Sequence, residues 1–211
     1  MNPGSTDILV GMSVSRETLA RLTRLGEMVR QWNPTINLVS RSTIPFLWER
    51  HILDSAQLFI LAQPGAKRWV DLGSGGGFPG LVIAILASEL RPELKVTVVD
   101  SDLRKAAFLR EACRALGLST HVIAGRIEAA PPQLADILSA RALADLPSLL
   151  IHAARHLKSD GIALFPKGKR FQEELSMARH SWDFDVDAVE SISDGSAAIL
   201  KIGKIRRAKH E

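Results

Sequence analysis

The sequence predicts an α/β fold: a mostly parallel seven-stranded sheet with an antiparallel edge, preceded by an N-terminal helical extension. Three observations carry this expectation. From Arg68 onward, apolar runs of strand length alternate with segments of helix length, the pattern of a parallel sheet covered on both faces. Arg68 to Gly80, RWVDLGSGGGFPG, runs an apolar strand into a glycine cluster, with Pro79 where a helix can begin. The last two strand-like runs are separated only by Ser193-Asp194-Gly195-Ser196, which predicts a hairpin and therefore an antiparallel pair.

Residues 1 to 13 are small and polar and are expected to fray. Leu19, Leu22, Leu25, Met28, Val29 and Trp32 then recur at helical spacing, with Arg16, Arg21, Arg24 and Arg30 between them. These arginines are either solvated or touch RNA phosphates, and Asn33-Pro34 is expected to end the helix. A second helix is expected over Ile44 to Ala62, carrying Arg50-His51-Ile52-Leu53-Asp54-Ser55. Arg50 and Asp54 stand at i and i+4 for a surface pair, and His51 reads locally as an ordinary, partly buried histidine. Gln63-Pro64-Gly65-Ala66 breaks that helix and leads into the strand that ends at Asp71.

Beyond the glycines the expected order is helix Leu81 to Leu90, strand Lys95 to Val99, helix Leu103 to Leu116 and strand Thr120 to Ala124. After Pro131-Pro132 come strand Ala135 to Ala140, helix Leu146 to Leu157 and strand Gly161 to Phe165. Helix Arg170 to Ser181 and strands Asp185 to Ser191 and Ala197 to Ile202 close the chain.

Composition narrows the class. Hydrophobic residues make up 46% and charged residues 24% of the chain, enough for a sizeable core and against global disorder. The longest apolar run, Leu81 to Ala87, is far below the ~18 residues of a membrane span, so no membrane association is expected. The N-terminus lacks a basic head before an apolar run, so no secretory signal is expected. The single cysteine, Cys113, excludes an internal disulfide and suits the cytoplasm; its helical register makes it a packing residue. A net charge of +4 gives a mild bias toward polyanions.

In such a sheet ligands bind at the carboxyl ends of the strands, where Asp71, Asp100, Ile127, Glu128, Arg141 and Lys167 fall. Gly75 to Gly80 fits G-x-G-x-x-G, and Asp100 follows about 20 residues on, so an NAD-dependent oxidoreductase is one alternative. Two features point elsewhere. A carboxylate at Asp71 would repel a pyrophosphate and attract a cation such as the sulfonium of S-adenosylmethionine. The glycines also begin two residues after it, as D-x-G-x-G-x-G. Asp100 suits ribose hydroxyls in either case. His152 and His156 have the spacing of a metal pair but no evident third ligand, and no metal is expected.

Arg50-His51-Ile52-Leu53-Asp54-Ser55, Asp71 to Gly80, Asp100-Ser101, Arg126-Ile127-Glu128, Ser139-Ala140-Arg141-Ala142 and Lys167-Gly168 together resemble the RsmG (GidB) family. These are bacterial methyltransferases that modify N7 of one guanine in 16S ribosomal RNA. The resemblance runs from about Trp32 to Gly168. It implies a Rossmann-like class I methyltransferase fold with S-adenosylmethionine held by Gly73, Phe78, Ile127, Glu128 and Arg141, and with Asp71, Gly75 and Asp100 contributing. Residues 1–64 would form the helical extension packed on the core, and 65–211 the cofactor-binding domain. The implied partner is 16S ribosomal RNA or the small subunit, met by a cytoplasmic monomer. Gly195-Ser196-Ala197-Ala198 departs from the family, where many members carry a basic residue.

Guanine N7 has an in-plane lone pair and no proton, so its methylation needs no general base. Orientation of the reactants then supplies the rate, worth ~7 to 11 kcal/mol. His51 and Arg141 are the candidate catalytic residues, His51 to position the base and Arg141 to orient a carboxylate or guanine O6. Arg50, Lys167 and Lys169 are expected to hold phosphates. The target guanine should be splayed out, because the A-form major groove is too deep and narrow for side chains. The basic tail, Lys201 to Lys209, either adds phosphate affinity or is a solvated terminus. A non-catalytic RNA-binding protein is the third alternative.

Overall fold

The computed structural model describes residues 6–208. Strands β1 (Thr6–Leu9) and β2 (Met12–Ser15) form an antiparallel hairpin. The expectation of a frayed start is therefore corrected for residues 6–13, while 1–5 lie outside the described residues. The reason is local: Val10 and Gly11 turn the chain at φ +51° and +78°, and Leu9 and Val14 are buried.

Helix α1 (Arg16–Ile36) starts where the Ser15 hydroxyl accepts from the Thr18 amide at 3.2 Å. It does not stop at Asn33-Pro34. Pro34 lies in the last turn, where it removes few backbone bonds, and Asn37 ends the helix at φ +47° by donating to the Asn33 carbonyl at 3.0 Å. The expected helix over Ile44 to Ala62 divides into a 3-10 turn (Arg41–Phe46), a π-helical turn (Trp48–Leu53) and α2 (Asp54–Leu61). The widened turn carries Arg50 and His51, and such turns are frequent at functional sites.

The main sheet comprises β3 (Arg68–Leu72), β4 (Lys95–Asp100), β5 (His121–Ala124), β6 (Ala135–Ala140), β7 (Leu157–Lys167), β8 (Trp182–Ser191) and β9 (Asp194–Arg207). Their order is β5-β4-β3-β6-β7-β9-β8, parallel from β5 to β7 and antiparallel at β9 and β8. Helices α3 (Gly80–Leu90), α4 (Leu103–Ala115), α5 (Leu146–His156) and α6 (Phe171–Arg179) connect the strands.

Alternation along the strands divides the core. Trp69, Val96, Val98 and Ile137 face α1 to α4, while Val70, Leu72, Val99 and Leu138 face α5 and α6. Helix α3 is buried from Leu81 to Ala87, which accounts for its uninterrupted apolar run. Cys113 is buried in the α1 to α4 layer. Because α1 and α2 bury Leu22, Leu25, Val29 and Leu58 in that layer, the N-terminal segment is part of the core under the site.

The last strands run longer than expected, and β9 reaches Arg207, paired with Trp182. Lys204 meets Asp185 at 2.8 Å, and the Arg207 guanidinium lies 4.1 Å from the Trp182 ring centre. Most of the basic tail is thus part of β9, paired with β8, rather than free terminus, and Lys209 lies outside the described residues.

Candidate cofactor and substrate site

Strand order reverses at β3, so a crevice opens between the carboxyl ends of β3 and β6. Asp71 and Ser139 are register partners there. Asp71 is fully buried: Oδ1 accepts from the Ser139 hydroxyl at 2.7 Å, and Oδ2 accepts from the Ser74 hydroxyl at 2.5 Å and the Gly80 amide at 3.0 Å. Ser139 in turn accepts from Trp69 Nε1 at 2.8 Å. Burial pushes the Asp71 carboxyl up to about 6 against the opposing pull of these three donors.

This corrects the expectation that Asp71 meets a cationic ligand at the mouth of the loop. Its oxygens are spent tying β3, the glycine loop, α3 and β6 together, which acts on a ligand through the loop. Gly80 makes the close approach feasible, since a Cβ there would lie 2.8 Å from Asp71 Oδ2 and 2.5 Å from Val98 Cγ1.

The loop itself runs through Gly73 at φ +67° and Gly75 at φ +51°. Gly75 donates its amide to Asp100 Oδ2 at 2.8 Å, and Asp100 Oδ1 accepts from the Asp102 amide at 2.9 Å. A cavity of about 460 Å³ lies beside it, lined by Gly73, Asp100, Lys105, Ile127, Glu128 and Leu143. A second, of about 330 Å³, is lined by Gly75, Phe78, His51 and Arg141. A third, of about 460 Å³, is lined by His51, Asp54, Arg141 and Lys167. Ala142 lines all three and holds φ +51°, a strained value for a residue with a Cβ.

The first cavity fits an S-adenosyl group: backbone without a side chain at Gly73, and two carboxylates, Asp100 and Glu128, able to accept from a ribose diol. Ile127 and Glu128 are steadied by α5. His156 Nε2 donates to the Ile127 carbonyl at 3.2 Å, Arg155 donates to the Ala130 carbonyl at 3.0 Å, and His152 lies 3.7 Å from Glu128. His152 and His156 therefore brace this turn, and no group of three metal-type ligands occurs among the described residues.

Arg141 links the second and third cavities. Its Nη2 donates to His51 Nδ1 at 2.6 Å, and Nη1 donates to the Arg50 carbonyl at 3.0 Å and approaches Asp54 Oδ2 at 3.5 Å. Since guanidinium only donates, His51 Nδ1 is the acceptor; Nε2 then carries the proton and donates to Thr43 Oγ1 at 2.8 Å. Burial first, then Arg141 and Arg50, lower the His51 pKa to about 3. Burial also lowers the Arg141 pKa, with Asp54 and Asp71 opposing. Phe78 packs against both, its ring centre 5.1 Å from that of His51 and 5.5 Å from the Arg141 guanidinium carbon.

Two further expectations are corrected. Arg50 and Asp54 do not pair: Arg50 meets Asp194 at 3.2 Å, while half-buried Asp54 accepts from Ser193 at 2.7 Å and Gln57 at 2.9 Å. Lys167 is not a free phosphate donor, because its Nζ donates to Glu174 at 2.7 Å and to the Ala144 carbonyl at 2.9 Å, leaving the side chain 9% exposed. Lys169 is exposed. Thr43, Lys105, Ser139 and the Ser191 to Asp194 turn went unassigned in the sequence. Ser139 carried a signal in the Ser139-Ala140-Arg141-Ala142 motif, and Ser193-Asp194 carried one only as a hairpin turn.

The sheet order and the crevice at its switch point define the fold of the S-adenosylmethionine-dependent methyltransferases. A solved methyltransferase from Geobacter sulfurreducens matches with a TM-score of 0.58 over 87% of this chain and 88% of that chain, at 19% identity. Residues 18–202 match the family rRNA small subunit methyltransferase G (GidB), and the chain belongs to that family. "Ribosomal RNA small subunit methyltransferase G" of Ruegeria sp. (strain TM1040) is 52% identical over 196 residues, covering 93% of this chain and 95% of that protein. Its namesake in Ruegeria pomeroyi is 53% identical over 196 residues, covering 93% and 96%. Family membership favours neither the NAD-dependent oxidoreductase nor the non-catalytic alternative.

Proposed function

We propose that this chain transfers the methyl group of S-adenosylmethionine to N7 of a guanine in the 16S ribosomal RNA of the small subunit. The observation that carries the reading is the meeting, at Ala142, of an acid-lined nucleoside cavity and the third cavity, whose histidine lone pair is engaged by Arg141, in a chain of this family. Gly73, Gly75, Ile127, Glu128 and Asp100 would hold the cofactor, and Phe78 and Arg141 would close its reactive end. S-adenosylmethionine supplies an electrophilic methyl group on a sulfonium.

The N7 lone pair forms the new C–N bond, the C–S bond breaks with its electrons going to sulfur, and no proton moves. His51 fits this chemistry, because its free lone pair is engaged by Arg141 and it serves to hold that guanidinium. The rate arises from holding the base, methyl and sulfur in line. Exposed Lys169, and Arg50 at the rim of the third cavity on exchanging its exposed pairing with Asp194, are the side chains offered to phosphates.

The reaction is placed in the cytoplasm, with the ribosomal substrate, and the chain is taken to act as a monomer. No described helix is long and apolar enough to cross a membrane. Incubation with labelled S-adenosylmethionine and unmodified small subunits, followed by mapping of the methylated nucleotide, tests the proposal. A product other than 7-methylguanine overturns it. A melting temperature raised by NADH but not by S-adenosylhomocysteine would restore the dinucleotide reading.

A further inference from the structure

We propose that Asp54, beside Arg141, reads the target base as guanine in the third cavity; this rests on the function proposed above. Asp54 Oδ1 is engaged by Ser193 and Gln57, whereas Oδ2 has only the 3.5 Å approach of Arg141 Nη1 and keeps acceptor capacity. One wall of this cavity of about 460 Å³ thus presents a donor and an acceptor side by side. Ala142, Ala197, Ala198 and Pro166 supply apolar surface around them.

Guanine carries the complementary pair: O6, an acceptor, next to N1–H, a donor, with the N2 amino group beyond. Adenine carries the reverse, an N6 amino donor next to a bare N1 acceptor, and would set donor against donor and lone pair against lone pair. The orientation also suits the chemistry. O6 lies between N1 and N7, so a base with O6 on Arg141 and N1–H on Asp54 turns N7 the other way. In that direction Arg141 Nη2 meets His51 and the second cavity. The base becomes cationic as the methyl arrives, and a carboxylate on N1–H stabilises that charge, offsetting the guanidinium at O6.

The test uses the full-length protein and small subunits assembled with guanine or adenine at the methylated position. For wild type, kcat/KM should favour guanine by about 100-fold or more. Asp54→Asn can turn its amide to donate to adenine N1, so the preference should fall about 10- to 100-fold, with S-adenosylhomocysteine affinity within about twofold of wild type. Equilibrium binding of the S-adenosylhomocysteine complex to both particles reads the same preference without turnover. A guanine preference unchanged in Asp54→Asn overturns the proposal. So does parallel loss of folding or cofactor affinity, which would make Asp54 a structural residue only. Wild type that methylates neither particle would instead overturn the function on which the proposal rests.

Discussion

His51 Nδ1 accepts a hydrogen bond from Arg141 Nη2 at 2.6 Å, so the lone pair that a basic histidine would use is committed to a permanent cation. His51→Ala should therefore retain measurable turnover, and His51→Gln, whose side-chain oxygen can still accept, should lose less than about tenfold in kcat. The wild-type profile of kcat/KM against pH should lack a limb near the ordinary histidine value. Complete loss of turnover in His51→Ala, with folding and cofactor affinity intact, would count against catalysis without a base.

Burial of His51, with Arg141 and Arg50 beside it, has a stability consequence. Folding lowers the His51 pKa from 6.5 to about 3, so between these values the unfolded chain binds a proton that the folded chain does not. The stability from neutral His51 is complete above pH 6.5 and is lost as pH falls toward 3. Urea unfolding should show wild type losing stability relative to His51→Gln across that window, by up to about 1.4 kcal/mol per pH unit. A pH-independent difference would contradict the assigned protonation state.

Ser139→Ala removes a donor from the buried Asp71 carboxylate and the acceptor of Trp69 Nε1. A cost of about 2 to 3 kcal/mol is expected from denaturant unfolding, because two buried polar groups lose partners. The Asp71 pKa should rise further above about 6. A cost within 0.5 kcal/mol, about the size of a neutral surface change, would mean that the network is not what joins β3 to β6.

Gly73→Ala sets a Cβ 2.7 Å from Leu143 Cδ1 at φ +67°, whereas Gly117→Ala meets the same backbone strain, at φ +63°, with nothing within 4 Å. Both should lose about 1 kcal/mol of stability. Calorimetric titration with S-adenosylhomocysteine should show at least tenfold weaker binding for Gly73→Ala only. Equal affinities in the two variants would remove Gly73 from the cofactor site.

Lys167 and Lys169 lie two residues apart but should behave differently. Lys167→Ala strips a partner from half-buried Glu174 and should lower stability while leaving the salt dependence of RNA binding unchanged. Lys169→Ala should reduce the slope of log affinity against log salt by up to about 1, with stability unaffected. The reverse pattern would reassign the phosphate contact to Lys167.

From Arg68 onward the sequence by itself determined the strand and helix order, because alternating apolar runs and turn residues are local signals: β6 falls on Ala135 to Ala140 as expected, and Gly117 follows α4. It also pointed to Gly73, Asp100, Ile127 and Glu128, which line the first cavity, since the sheet brings strand ends together whatever the detail of their contacts. Tertiary structure alone decided what each charge does. Asp71 is spent on Ser74, Ser139 and Gly80, Lys167 on Glu174, and Asp54 faces Arg141 rather than Arg50. Ser139 lies 68 positions from Asp71, and Arg141 and Ser193 lie 87 and 139 positions from Asp54, while the nearer partners Ser74, Gly80 and Glu174 are brought within reach by the fold of the glycine loop and the placing of α6. The physical reason is range: periodicity and turn chemistry act over a few residues, whereas the pairing of a buried charge is settled by which donors the packed sheet leaves within reach of it.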